Sequence, residues 1–365
     1  MISLPDTEID AFLTLNASGL SPLRQFALLA AFGTATQILA ASDGELAEVQ
    51  GVKTDHIRRL REAQQVVDLA AVWAKCREYG VTPVPCTAPE FPPLLRASTD
   101  GTPLLFVQGT LEKRDDLAVA IVGTRKCTPY GMTVARRLAG DLARRGFTIV
   151  SGMARGIDAE AHLGALEAGG RTIAAMGSGP DITFPRGHVE LRERIVASGA
   201  VITEYGFGSP PLKEHFPERN RIVAGLSLGV LVVEAPAASG ALITARLAGE
   251  IGREVFAVPG DVNSPLSHGA HALIKDGARL VEYAEDVVEG LGILLTAVPD
   301  RPQVPAPDLP SEEQAVVDAL SHQPRRVDEV VASCNLGPAQ VTAALMVLEM
   351  KGLVRRLPGS TFVRL

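Results

Sequence analysis

Aromatic side chains make up only 4% of the 365 residues, and the four cysteines stand apart at positions 76, 86, 127 and 334. Without a C-x-x-C pair or a histidine at zinc spacing, neither a disulfide framework nor a structural metal is expected, and a reducing cytoplasm fits. Long apolar runs are also lacking. The most apolar stretch near the start, 26–41, is broken by Gly33, Thr34, Thr36 and Gln37, and Asp6, Glu8 and Asp10 stand where a basic leader would begin. Neither an export signal nor a membrane span is therefore expected. Nor is there an excess of positive charge: 35 basic against 42 acidic residues leave a net charge of −7, which excludes coating of nucleic acid by bulk charge and leaves room only for a local basic groove.

What is present is an aliphatic core. With 46% apolar residues, a mean hydropathy of +0.17 and so few aromatics, the interior must be built from Ala, Val, Ile and Leu, as in parallel sheets covered by helices. Brief apolar runs at 117–122, 147–150, 172–176, 200–203, 229–233 and 254–258 alternate with helical patterns long enough to serve as crossovers. The fold class predicted is α/β, an extended Rossmann-like, doubly wound, mostly parallel sheet over 111–295.

Two proline-rich stretches frame it and are expected to be connectors, 83–110 and 296–310. Before the first, apolar residues at helical spacing with Gly33 and Gly51 at turns predict a small all-helical domain over 1–82. Its segment from Leu46 to Lys53 resembles half of a helix-hairpin-helix, which suits either a DNA phosphate or protein docking. After the second, three helical patterns and a hairpin joined by Pro358, Gly359 and Ser360 predict a winged helix over 311–365. The third helix offers few basic side chains, whereas Arg355, Arg356 and Arg364 lie in the wing, so DNA and protein are both open as partners.

In doubly wound sheets ligands sit beyond the carboxyl ends of the strands. Gly123, Thr124 and Arg125 follow the first strand of the α/β segment; 151–158 and 177–181 are Gly-rich turns after later strands, and Ser239 and Gly240 follow another. No strand is followed by a full G-x-G-x-x-G and no P-loop is present, so no nucleotide cofactor is expected. Between Arg125 and Arg155 seven basic residues face one acid, Asp141; helical spacing puts Arg136, Arg137, Arg144 and Arg145 on an outer face, while Arg125 sits at a strand end. The densest polar cluster holds Lys213, Phe216, Arg219, Asn220 and Arg221. Three cations for phosphates, an amide and an aromatic suit a single-stranded nucleic acid. Scattered histidines and strand-end carboxylates without partners nominate no catalytic residue.

These stretches resemble the DNA-processing protein family called DprA or Smf. The matching residues are Val122-Gly-Thr-Arg125 with Tyr130-Gly131, 151–158 followed by His162, 216–227 with Arg219-Asn220-Arg221, Val233-Glu-Ala235, 239–245, Gly252-Arg253 and Ala257-Val-Pro-Gly260. The resemblance implies a single-stranded DNA-binding protein that loads the RecA recombinase in natural transformation and DNA repair, without enzymatic turnover. It implies a pocket made by Arg125, Lys213 and Phe216, and a homodimer and RecA interface around His271, Ile274, Lys275 and Leu280. Single-strand-binding protein is a further implied partner. Phe184-Pro185-Arg186-Gly187-His188 stands where the family has Tyr-Pro-x-x-Asn, and Glu204-Tyr-Gly-Phe-Gly208 where it has Glu-x-Pro-x-Gly. The rival from another class is a nucleotide phosphoribohydrolase of the lysine-decarboxylase-like group, but the turn from Ala238 to Thr244 has no glutamate before Glu250.

Overall fold

A computed structural model describes residues 6–98, 101–292, 309–321, 324–334, 336–351, 353–357, 359 and 361–364, which form two compact units. In the larger, a nine-stranded sheet has the order β1-β2-β6-β5-β4-β3-β7-β8-β9. Its strands are β1 (Val81–Pro85), β2 (Leu104–Gly109), β3 (Ala118–Val122), β4 (Thr148–Ser151), β5 (Thr172–Ala175), β6 (Ala200–Thr203), β7 (Gly229–Val232), β8 (Glu254–Ala257) and β9 (Arg279–Leu280). From β6 across to β9 every pairing is parallel, and β3 to β7 are buried at every position. Short β-branched runs without polar alternation are what a sheet covered on both faces requires. The six predicted strands are all present, each within a residue of its expected bounds.

The stretch 83–110 is not a connector. β1 pairs antiparallel with β2, and β2 pairs antiparallel with β6, so both belong to the sheet. Prolines are tolerated because β1 is the edge strand: Cys86 donates its N–H to Pro103, and by ladder alternation Pro83 and Pro85 turn their missing N–H positions away from β2. The N-terminal helices α1 (Asp6–Ala17), α2 (Pro22–Phe32), α3 (Ala35–Ala40), α4 (Asp43–Glu48), α5 (Thr54–Val66) and α6 (Leu69–Tyr79) carry their own cluster of Leu15, Leu28, Ile38, Leu46 and Leu60. Phe12 and Leu13 of α1, however, join the core of the sheet, so residues 1–82 are not an independent body.

The remaining helices are α7 (Pro93–Arg96), α8 (Pro129–Arg144), of which 135–144 fall in this unit, α9 (Ile157–Glu167), α10 (Val189–Ser198), α11 (His215–Gly225), α12 (Gly240–Glu250), α13 (His268–Lys275) and α14 (Ala284–Gly290). Strand order runs one way from β3 through β6 and the other way through β7 to β9. The switch point therefore lies between β3 and β7, and doubly wound sheets place their ligand crevice beyond the carboxyl ends of the strands beside such a point.

The smaller unit contains α15 (Ser311–Ala319), α16 (Val327–Ser333), α17 (Pro338–Met350) and a three-stranded sheet of β10 (Arg325–Arg326), β11 (Val354–Leu357) and β12 (Thr361–Arg364). Val316, Val330, Val341, Leu345, Leu348 and Phe362 fill its core, as a winged helix requires. The outer face of α17 presents Met346 and Met350, while Arg355, Arg356 and Arg364 are exposed on the wing. Pro358 and Ser360 of the expected wing tip, and 296–308 of the expected linker, lie outside the described residues. Among the described residues no single helix is long and apolar enough to cross a membrane.

Candidate nucleic-acid interface

The loop after β3 is shaped from beneath. Any side chain at Gly123 would meet Ile157 at 2.5 Å and the Glu234 carbonyl at 2.8 Å, so only glycine permits this approach of the β3 and β7 loops. Thr124 donates its N–H to Glu234 O at 2.7 Å, and its hydroxyl accepts from the Lys126 N–H at 3.3 Å. The Thr124 amide is thus spent on the fold, and the effect of the pair is to present Arg125 outward at the switch point. Arg125 is exposed, and its guanidinium carbon lies 5.2 Å from the centre of the Phe216 ring.

Phe216, in the first turn of α11, is half-buried and rests on Gly177, where an added Cβ would come within 3.2 Å of its ring. Phe184, 36% exposed, lies 5.5 Å from it centre to centre at an interplanar angle of 40°. Two phenyl rings beside an exposed arginine form an aromatic surface on this edge of the sheet. Lys126, Arg155, Arg186 and Lys213 are exposed in the surrounding strand-end loops. None of these four, nor Arg125, forms an ion pair among the described residues. In the sequence Phe184 and Arg186 stand out only as departures from the family pattern; in a chain so poor in aromatics, a phenylalanine in the loop that follows β5 is the available clue.

Other expected contacts turn out to be braces. Arg219 is not a phosphate ligand: it is 4% exposed, and its guanidinium donates to the carbonyls of Gly152, at 2.7 Å, and Ala175, tying the ends of β4 and β5 together. It belongs to the buried face of α11 with Ile222, Val223 and Leu226, a 3-4 spacing that the polar appearance of the segment disguised. Arg221 pairs with Glu204 and donates to Gly101 O at 3.0 Å, so its charge is already met. Asn220 Nδ2 donates to Gly240 O at 3.2 Å, and the Ser239 hydroxyl caps α12 by accepting from the Ala241 N–H. These two fix the α11–α12 junction, while Gly240 itself faces open space.

Beneath the crevice lies a buried polar centre. Asp158 accepts from the N–H groups of Gly152 and Ala154 at 3.2 and 3.3 Å; burial pushes its carboxyl up, against the pull of Arg219 and those amides. Burial in turn pushes Arg219 down. His162 bonds Thr172 Oγ1 at 2.6 Å and is driven down to about 3 by burial, so it is a neutral core group. Glu250 lies at the far end of α12, about 15 Å along the helix from Gly240 at 1.5 Å per residue, too remote to supply the hydrolase carboxylate.

These features define a class: a doubly wound α/β domain whose strand-end crevice offers paired phenyl rings and unpaired cations, carried on the same chain as a winged helix. The chain belongs to the DNA recombination-mediator protein A family, whose model matches residues 83–292, and the DprA winged helix domain matches 300–360. Protein Smf of Escherichia coli K12 is 41% identical over 290 residues, covering 77% of each chain. The X-ray structure of DNA processing protein A from Streptococcus pneumoniae superposes with a TM-score of 0.70 at 35% identity, over 79% of this chain and 98% of that one. A structure of DNA processing protein A from Helicobacter pylori, described for its single-stranded DNA binding mode, matches with a TM-score of 0.50 at 31% identity, over 55% of this chain and 92% of that one.

Proposed function

We propose that this chain binds single-stranded DNA in the crevice beyond the carboxyl ends of β3, β4 and β5 and delivers it to the RecA recombinase in transformation and repair, as a binding protein with no catalytic residue. The observation that carries the reading is Arg125 standing over Phe216 with Phe184 alongside. An unpaired base can lie on such a ring, whereas a duplex hides its base faces, and the exposed cations Arg125, Lys213 and Arg186 of the strand-end loops can neutralise phosphates. The structural work on the Helicobacter pylori relative supports this ligand class. Three engaged phosphates predict that log K falls with log salt at a slope near −2, from about −0.7 per contact. Titrating salt against matched single-stranded and blunt duplex oligonucleotides tests it; equal affinity for the two rejects the reading.

Pairing of two copies through α13 and β9 belongs to the same proposal, with RecA docking beside it and single-strand-binding protein as a further partner. β9 is the open edge of the sheet; Leu280 is 43% exposed there, Lys275 is exposed and Ile274 half-buried. His271 Nε2 lies 3.2 Å from both the N–H and the carbonyl of Gly260, so it also steadies its own domain. Because Leu280 is already exposed, Leu280→Glu tests pairing without burying a charge in the monomer. Light scattering should report a folded monomer, and a dimer of unchanged mass removes the assignment.

A further inference from the structure

A second recess opens beside the crevice, a cavity of about 1160 Å³ between the N-terminal helices and the segment from Glu204 to Arg221. It exceeds the ~300–1,000 Å³ usual for one small ligand, which favours an extended occupant. Its floor is aromatic. The Tyr205 and His215 rings stack at 4.0 Å and 18°, and Phe207 packs between Tyr79 and Phe106 with Lys75 Nζ 5.8 Å above its centre. Aromatic surface at this density is out of proportion to a chain that is 4% aromatic.

The charges of the lining do not balance: Arg24, Lys53, Arg59, Lys75 and Arg221 face Asp68, Glu204 and Glu218. Glu204 is paired with Arg221, while Glu218, which accepts from the Tyr205 hydroxyl at 3.0 Å, and Asp68, which caps α6 through the Ala71 N–H, keep their negative charge. Of the cations, Arg59 is engaged with the carbonyls of Ser18 and Gly19, but Arg24, Lys53 and Lys75 form no ion pair among the described residues, and both lysines are exposed. Stacking surface with uncompensated positive charge is the combination that binds unpaired strands with little sequence preference.

The two sites are contiguous. His215 lines the recess and Phe216, its neighbour in sequence, carries the ring under Arg125. We infer that the recess is a second segment of the single-strand path: a strand leaving the Phe216 site passes over His215 and lays its next bases on Tyr205 and Phe207, with phosphates toward Lys53 and Lys75. This rests on the single-strand reading of the crevice and extends it to the N-terminal helices, giving them a part in binding.

Photocrosslinking separates the two. Oligonucleotides of twelve residues carrying 5-iododeoxyuridine at one position each are irradiated with the full-length protein, and adducts are located by peptide mass mapping. Adducts at Tyr205, Phe207 or His215 are expected from one end of the strand and at Phe184 or Phe216 from the other. Adducts confined to Phe184 and Phe216 overturn the inference and leave the crevice reading standing; adducts at neither place overturn both. As a second measurement, Lys53→Glu combined with Lys75→Glu should leave a strand short enough for the crevice alone bound as before, weaken the twelve-residue strand about tenfold, and flatten its salt slope by about 1.4 for two lost contacts. Unchanged affinity and slope for both lengths also overturn it.

Discussion

The mostly parallel sheet has a clasped arginine at its amino end and, beside the buried Arg219 and the paired Arg221, three open arginines at its carboxyl end. At the amino end, Arg171, just before β5, is clasped by Asp115 at 2.8 Å through two nitrogens, with Glu112 at 2.9 Å and the carbonyls of Thr110 and Ser198 on its other donors. Both partners of the Arg171–Asp115 pair are 7% exposed. At the carboxyl end, Arg125, Arg155 and Arg186 are exposed and form no ion pair among the described residues. A buried bidentate pair fixes the approach of a loop to a strand start; an unpaired arginine at a strand end holds its hydrogen-bonding fork ready for a phosphate. Charge counts along the chain do not separate these two conditions, because both ends draw on a segment whose acids and bases nearly balance.

The largest effect should come from breaking the paired end. Asp115→Ala leaves Arg171 buried beside only Glu112, and removes the acceptor of the Thr148 hydroxyl at 2.8 Å as well. Breaking a buried ion pair by removing one partner costs about 3–5 kcal/mol, and the remaining contact with Glu112 puts this loss at the lower end. Urea denaturation should show that loss, while the affinity of the folded fraction for a single strand stays within about twofold of the parent. A substitution that spares stability and weakens DNA binding would abolish the contrast between the two ends.

The same contrast explains what could and could not be read from the amino-acid order. The six central strands were legible because a strand buried on both faces needs an unbroken aliphatic run, and Ala118–Val122 or Gly229–Val232 have no other use. β1 was not, since Pro83 and Pro85 write the signature of a connector unless the strand is known to lie at an edge. Arg125 and Phe216 stand out in the sequence because each follows a strand or opens a helix at the predicted ligand edge, and the structure brings the two side chains within 5.2 Å. Arg219 was misplaced for a different reason: burial of a guanidinium depends on carbonyls of Gly152 and Ala175, residues more than forty positions away, which no local pattern reports. The three arginines of α8 and Arg145 just after it were placed on an outer face, and Arg136, Arg144 and Arg145 are pinned by Glu160, Asp141 and Glu285 while Arg137 lies over Tyr283.

At the unpaired end the next largest effect belongs to the ring. Phe216→Ala removes the surface shared by Arg125 and Phe184, and a lost base stack is worth about 1–3 kcal/mol, or roughly 5- to 150-fold in Kd. Isothermal titration with a short oligonucleotide measures it, and the denaturation midpoint should move far less than in Asp115→Ala. The reverse outcome, a clear loss of stability with affinity intact, would make Phe216 a core residue and leave the crevice without its platform.

The smallest effect is the most discriminating, because it reads contacts one at a time. Arg125→Ala and Lys213→Ala each remove one phosphate partner, and each should flatten the plot of log K against log salt by about 0.7, with the double variant near −0.7 if the parent stands near −2. Affinity should fall by a similar factor for every sequence, since phosphates carry no base identity. Arg219→Ala supplies the opposing arm. Its guanidinium is buried on backbone carbonyls, so removing it should lower stability and leave the slope of the folded protein unchanged. If Arg219→Ala flattened the slope while Arg125→Ala did not, the strand would run beneath the loops rather than across them, and the exposed arginines of the carboxyl end would lose the role that distinguishes them from Arg171.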